Sequence, residues 1–178
     1  MKNFFLSIFI VFTFNQLAFS QEAQYPIVKG FGGIYPIDNV AELPKKSLKY
    51  KIVIDIKGGD ENEEGFNASL NNIARMLNLH GLGGVKAANI EVVAVIHSKA
   101  TPTVLSNEAY QKKHGKNNPN KELIEALSKS NVKLFVCGQS LLARGFKGSK
   151  LLSEIKVSIS ALTILTTYQL EGYALLTF

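Results

Sequence analysis

From position 50 to the end of the chain, short apolar runs alternate with stretches in which apolar residues recur every three or four positions. Tyr50-Lys51-Ile52-Val53-Ile54-Asp55-Ile56 is rich in β-branched residues and closes on Gly58-Gly59, which predicts a strand over 50–56. Leu70, Ile73, Ala74 and Leu77 then keep helical spacing, which predicts a helix over 67–80 with Gly81 as its C-cap. The same alternation predicts strands over 90–96, 132–136, 156–159 and 173–178, and helices over 104–113, 121–129, 139–144 and 162–171. Strands this apolar are buried on both faces, and strands separated by helices run parallel. The pattern therefore predicts an α/β domain with a largely parallel sheet covered by helices on both sides. Ligands of such sheets bind beyond the carboxyl ends of the strands.

Two segments precede this domain. Lys2 and the apolar run from Phe4 to Phe14 have the basic start and short greasy centre of a secretory signal, and Ala18 and Ser20 supply the small residues read at cleavage. Residues 1–20 are thus expected to be a signal peptide, with the mature chain beginning at Gln21 and exported to a periplasm or outside the cell. An uncleaved anchor is the competing reading, but the run is shorter than the roughly 20 residues a spanning helix needs. Downstream, 155–170 is broken by Lys156, several Ser and Thr, and Gln169, so no membrane insertion is expected after cleavage. Residues 21–48 carry Pro26, Pro36, Pro44, Gly30, Gly32 and Gly33 with no sustained period, which predicts an irregular arm leading into the domain at 49–178. Tyr25, Phe31, Ile34, Tyr35 and Ile37 are too many apolar side chains for a solvated linker, so the arm should pack on the domain or on a neighbouring subunit.

Removing the signal from 178 residues leaves about 160, the size of one domain with a proper core. The chain is mildly basic, with 20 Lys and Arg against 14 Asp and Glu, but the lysines are scattered as on a solvated surface. There is no tryptophan, and no element interleaves aromatic and basic residues, which argues against nucleic acid as a partner. Gly81-Leu82-Gly83-Gly84 follows a helix and precedes a strand, the reverse of a dinucleotide-binding turn. Asp60-Glu61-Asn62-Glu63-Glu64-Gly65 imitates the start of a calcium loop, yet Asn71 stands where a bidentate Glu is needed. Asn67-Ala68-Ser69 matches a glycosylation sequon. Three dispersed histidines and one cysteine have no metal-site spacing, and neither a metal nor a cofactor is expected.

Cys137 is the single cysteine, so no internal disulfide and no dithiol pair is available. It falls where the strand 132–136 breaks into Gly138 and a short helix. Amides at a helix start carry partial positive charge and favour the thiolate, the form that attacks other sulfur atoms. A small buried hydrophobe with no reactive role is the alternative. His97 follows the second strand as directly as Cys137 follows the third. If those strands are neighbours, about 4.8 Å apart, His97 is placed to favour the thiolate; otherwise it is a surface histidine in a loop. Arg144 lies too far along the helix to do so, and the third member of the site is expected to be a backbone amide near Gly138 or Gln139. His80 and His114 sit in helix-end contexts and read as structural.

Taken together, Val93-Ala94-Val95-Ile96-His97 at a strand end, Asn118-Pro119-Asn120 before a helix, Val136-Cys137-Gly138-Gln139-Ser140-Leu141 with Arg144-Gly145, and the terminal Leu170-Glu171-Gly172-Tyr173-Ala174 resemble the DsrE/DsrF-like family over about 49–178. The resemblance implies a three-layer α/β/α domain with a five-stranded, mostly parallel sheet, assembled as a trimer or hexamer. It also implies that Cys137 carries sulfur as a persulfide between donor and acceptor proteins, with His97 as its neighbour and Gly138, Gln139 and Ser140 as binding positions. Relay members of the family work in the reducing cytoplasm, whereas this chain is expected to be exported. The rival reading is a non-catalytic, oligomeric assembly or ligand-binding protein whose strand-end pocket Cys137 merely lines.

Overall fold

Five strands, β1 (Tyr50–Ile56), β2 (Ile90–Ile96), β3 (Lys133–Cys137), β4 (Ile155–Ser158) and β5 (Ala174–Thr177), join in one sheet of order β4-β3-β2-β1-β5, and every pairing is parallel. The computed structural model describes residues 21–62 and 65–178; the expected signal peptide lies outside them. Chain order explains the topology: the strands step outward from β1 to β4, and the last helix then carries the chain back to pair β5 with the other side of β1.

Five α-helices fill the crossovers: α1 (Ala68–Leu82), α2 (Asn107–His114), α3 (Lys121–Lys129), α4 (Gly138–Ala143) and α5 (Ala161–Leu170). Alternate strand residues face opposite layers. Ile52, Ile54, Ile56, Val92, Ala94, Ile96, Leu134 and Val136 pack with Leu70, Ile73 and Leu77 of α1 and Leu123, Ile124 and Leu127 of α3 in the larger core. On the other face Val53, Val93, Val95 and Phe135 meet Ala161, Ile164, Leu165 and Tyr168 of α5. The expected α/β architecture is present, with a five-stranded sheet that is wholly parallel.

The arm folds back onto α1. Asn78, fully buried, accepts from the amides of Ile27 and Val28 at 2.9 and 2.8 Å and donates to the carbonyls of Phe31 and Gly32 at 2.9 and 3.0 Å. One side chain thereby satisfies backbone that an irregular segment cannot pair with itself. Gly32 lies against the backbone of Ala74 and Arg75, where no Cβ fits.

Four local readings need correction. Gly81 is not the C-cap: α1 runs on to Leu82 with Gly83 as its cap, and Gly81 is bare because a Cβ would come within 2.8 Å of Ile27 in the arm. Residues 104–113 do not form one helix. A 3-10 segment, Ser98–Val104, contains Pro102, and α2 starts afresh where the Ser106 hydroxyl accepts from the Ala109 amide. Asn67 of the sequon is 2% exposed; its side chain caps α1 at Leu70 and donates to the Gly58 carbonyl, so no glycan could be attached in the folded chain. Finally, β5 is apolar but exposed at all four residues, because an edge strand with one neighbour is not buried on both faces.

Candidate functional site

Parallel strands end together, and the three central ones, β1, β2 and β3, bring polar side chains to the carboxyl end of the sheet. β2 pairs β3 with Ile96 opposite Val136, so His97 and Cys137 occupy the next rank on adjacent strands, about 4.8 Å apart. The His97 amide donates to the Ile56 carbonyl at 2.9 Å and keeps β2 aligned with β1 beyond its last rung. The juxtaposition expected from the two strand ends is therefore present in the backbone.

The side chains are arranged differently. His97 turns toward β1, where Nε2 lies 2.6 Å from Oδ1 of Asp55. Both groups are mostly covered, with side-chain exposures of 21% and 14%. A carboxylate only accepts, so Nε2 carries the donated proton in this pair, and Nδ1 stands outside it. Asp55 is the residue that sequence reasoning missed. Its signal was a carboxylate inside a strand of alternating Ile and Val, at the last position but one.

Cys137 caps α4 and is 4% exposed. Burial pushes its thiol up, but the Ala161 amide, the amide and hydroxyl of Ser140 and the Gln139 amide, all directed at the sulfur, outweigh burial and hold the thiol below its ordinary range. The expected amide near Gly138 or Gln139 is thus joined by two that sequence reasoning did not place, those of Ser140 and of Ala161, the first residue of α5. Ser140 is itself oriented: its Oγ accepts from the Ser98 amide at 3.1 Å, which leaves the hydroxyl proton for the sulfur. Ser98 reaches that position with φ of 52°, a left-handed conformation unusual for a residue with a side chain.

Gly138 has a packing role. A Cβ there would stand 2.8 Å from the Ser158 carbonyl, so only glycine lets α4 start this close to the end of β4. Gln139 is exposed and contributes its amide. Arg144 caps the far end of α4, away from the sulfur, as its position along the helix implied. His80 bonds the Met76 carbonyl through Nδ1 at 2.9 Å, and His114 stacks on Tyr110 with ring centres 4.3 Å apart, so both are structural.

The site therefore favours ionisation of the Cys137 thiol through backbone amides and a hydroxyl, and commits Nε2 of His97 to Asp55 one strand away. Against known proteins, the model of the DsrE/DsrF-like family matches residues 49–178, the whole sheet with its helices. Among solved structures, the ychN protein from E. coli is similar at 25% identity and a TM-score of 0.53, over 72% of this chain and 99% of that one. The protein of unknown function MTH1491 from Methanobacterium thermoautotrophicum shares the fold at 17% identity and a TM-score of 0.51, over 72% and 99%. No curated protein matches the chain.

Proposed function

Since the chain belongs to the DsrE/DsrF-like family, we propose that it is an exported, homo-oligomeric sulfane-sulfur carrier in which Cys137 takes up a sulfur atom as a persulfide and passes it to an acceptor thiol. The observation that carries this reading is the sulfur environment: three backbone amides and one hydroxyl converge on a lone cysteine and lower its thiol pKa despite burial. A structural cysteine in an apolar core would have its pKa raised instead.

Loading from inorganic polysulfide needs no other group. The Cys137 thiolate attacks a sulfane sulfur, a new Sγ–S bond forms, and the shortened polysulfide leaves with the electron pair of the broken S–S bond. Intact mass before and after polysulfide tests the proposal. Wild type should gain sulfur that a reductant removes, and Cys137→Ser should gain none; equal gain in both, or none in wild type, sinks it. Export is checked separately by N-terminal sequencing of the protein from its host, which should begin at Gln21.

A second reading, an assembly protein with an inert cysteine, is favoured by the 4% exposure of Cys137. It predicts that the folded protein resists alkylation at neutral pH, whereas a carrier is alkylated faster than the unfolded chain.

A further inference from the structure

Asp55 and His97 form a pair that loading from polysulfide does not use. Their bond is 2.6 Å long and mostly shielded from water, and it lies on the same sheet face as Cys137. Nε2 is committed to Asp55, and Nδ1 has no hydrogen-bond partner among the described residues. A largely covered carboxylate and imidazole held this close fix one ring nitrogen as donor and leave the other outside the pair, the arrangement by which a histidine is oriented for acid–base work.

The two halves of sulfur transfer differ in their need for such a group. Loading from polysulfide exchanges one anion for another and moves no proton. Unloading to a thiol is different: R–SH and Cys137–S–S⁻ become R–S–SH and Cys137–S⁻, so a proton must travel from the acceptor sulfur to the transferred sulfur. Without that transfer a neutral thiol is a poor nucleophile, and the negatively charged outer sulfur repels attack.

Resting on the carrier reading above, we infer that His97 is the proton shuttle for unloading, that Asp55 is the residue that positions it, and that the physiological acceptor is therefore a thiol that arrives protonated. Nδ1 takes the proton of the acceptor thiol, whose sulfur forms a bond to the outer sulfur of the persulfide. The Sγ–S bond breaks, its electron pair returns to Cys137, and the shuttled proton ends on the transferred sulfur. No oxidant or reductant is required. The amides of Ala161, Ser140 and Gln139 that receive the loaded thiolate also stabilise it as the leaving group.

The test separates the two steps. Wild type, Asp55→Asn and His97→Gln are loaded with inorganic polysulfide, their sulfur gain is read by intact mass, and discharge is then timed with N-acetylcysteine at a pH well below that thiol's own pKa. All three should load, and both variants should discharge on the order of 100-fold more slowly, the usual size of a lost general acid–base group. In ¹⁵N spectra the wild-type His97 should carry its proton on Nε2, and Asp55→Asn should lose that single tautomer, a change that altered packing alone would not produce. Discharge at the wild-type rate in both variants overturns the inference. So does loss of loading in both variants while wild type still loads, because the pair would then serve the Cys137 thiol itself. Failure of wild type to load removes the carrier reading and this inference with it.

Discussion

The thiol of Cys137 owes its character to a hydroxyl that is itself held in place. Ser98 donates its amide to Ser140 Oγ, and Ser140 directs its proton to the sulfur. Ser140→Ala removes that donor and leaves the Ser98 amide without its partner. The thiol pKa should rise, and alkylation at neutral pH should slow by roughly tenfold, within the range for one hydrogen bond to a charged group. A rate profile against pH checks the direction, since its midpoint should move up; an unmoved midpoint would mean that the amides suffice. At the opposite end of the sheet, burial and the Glu91 carboxylate, which accepts from its hydroxyl at 2.9 Å, push Tyr173 up to about 12. The folded state therefore holds the phenol neutral where an unfolded tyrosine ionises. That contribution is complete below about pH 10 and fades as pH rises toward 12, a loss of about 3 kcal/mol. Tyr173→Phe should lack this alkaline decline when unfolding is followed from pH 9 to 12. At this scale the sequence revealed Cys137 and His97, because strand ends are readable from apolar runs. Asp55 stayed hidden because period and composition do not say which side chain a strand turns toward its neighbour. The Ala161 amide stayed hidden because it arrives 24 positions later in the chain.

Elements show the same division between local and tertiary causes. Strands β1 and β2 match their apolar runs residue for residue, since a central strand is buried on both faces and its whole sequence reflects that. Edge strands carry a weaker signal: the apolar residues of 173–178 read as buried, but only Tyr173 is, and β5 is exposed throughout. The arm is the reverse case. Its proline and glycine content predicted irregular backbone, and its aromatic content predicted packing, but neither could name Asn78 as the residue that receives it. Asn78→Leu would keep the branching of the side chain while leaving the Ile27 and Val28 amides and the Phe31 and Gly32 carbonyls without their partner. A cost of about 2–4 kcal/mol is expected for several buried backbone groups partly rescued by water. Hydrogen exchange should locate the damage: amides around Val28 should exchange faster while β1 and β2 stay protected. Uniform loss of protection would mean instead that the arm and the sheet unfold as one unit.

For the whole molecule, the decisive asymmetry is between the two faces of the sheet. One is covered by α1 and α3 with the arm outside α1; the other has α5 alone, whose exposed positions are Leu162 and Leu170 together with Thr163, Thr166, Thr167 and Gln169. Leu162 is 73% exposed and Leu170 89%, and Leu175 on the β5 edge faces the same layer as Val53; Val157 and Ile159 are exposed at the opposite edge, on β4 and just beyond it. A second copy of the chain is the occupant that the expected homo-oligomer would supply, and it would also close the unpaired edge of β5. Burying one leucine is worth about 1.5–3 kcal/mol, so Leu170→Asp should weaken self-association at least tenfold. Because Leu170 is almost fully exposed in the single chain, the substitution removes little from the fold, and thermal stability measured at high dilution should barely change. Sedimentation velocity over a concentration series gives the answer. Wild type should sediment as an oligomer and Leu170→Asp as a lighter species; a wild type that stays monomeric at every concentration would leave this face for a different partner and rule out the self-assembly proposed here.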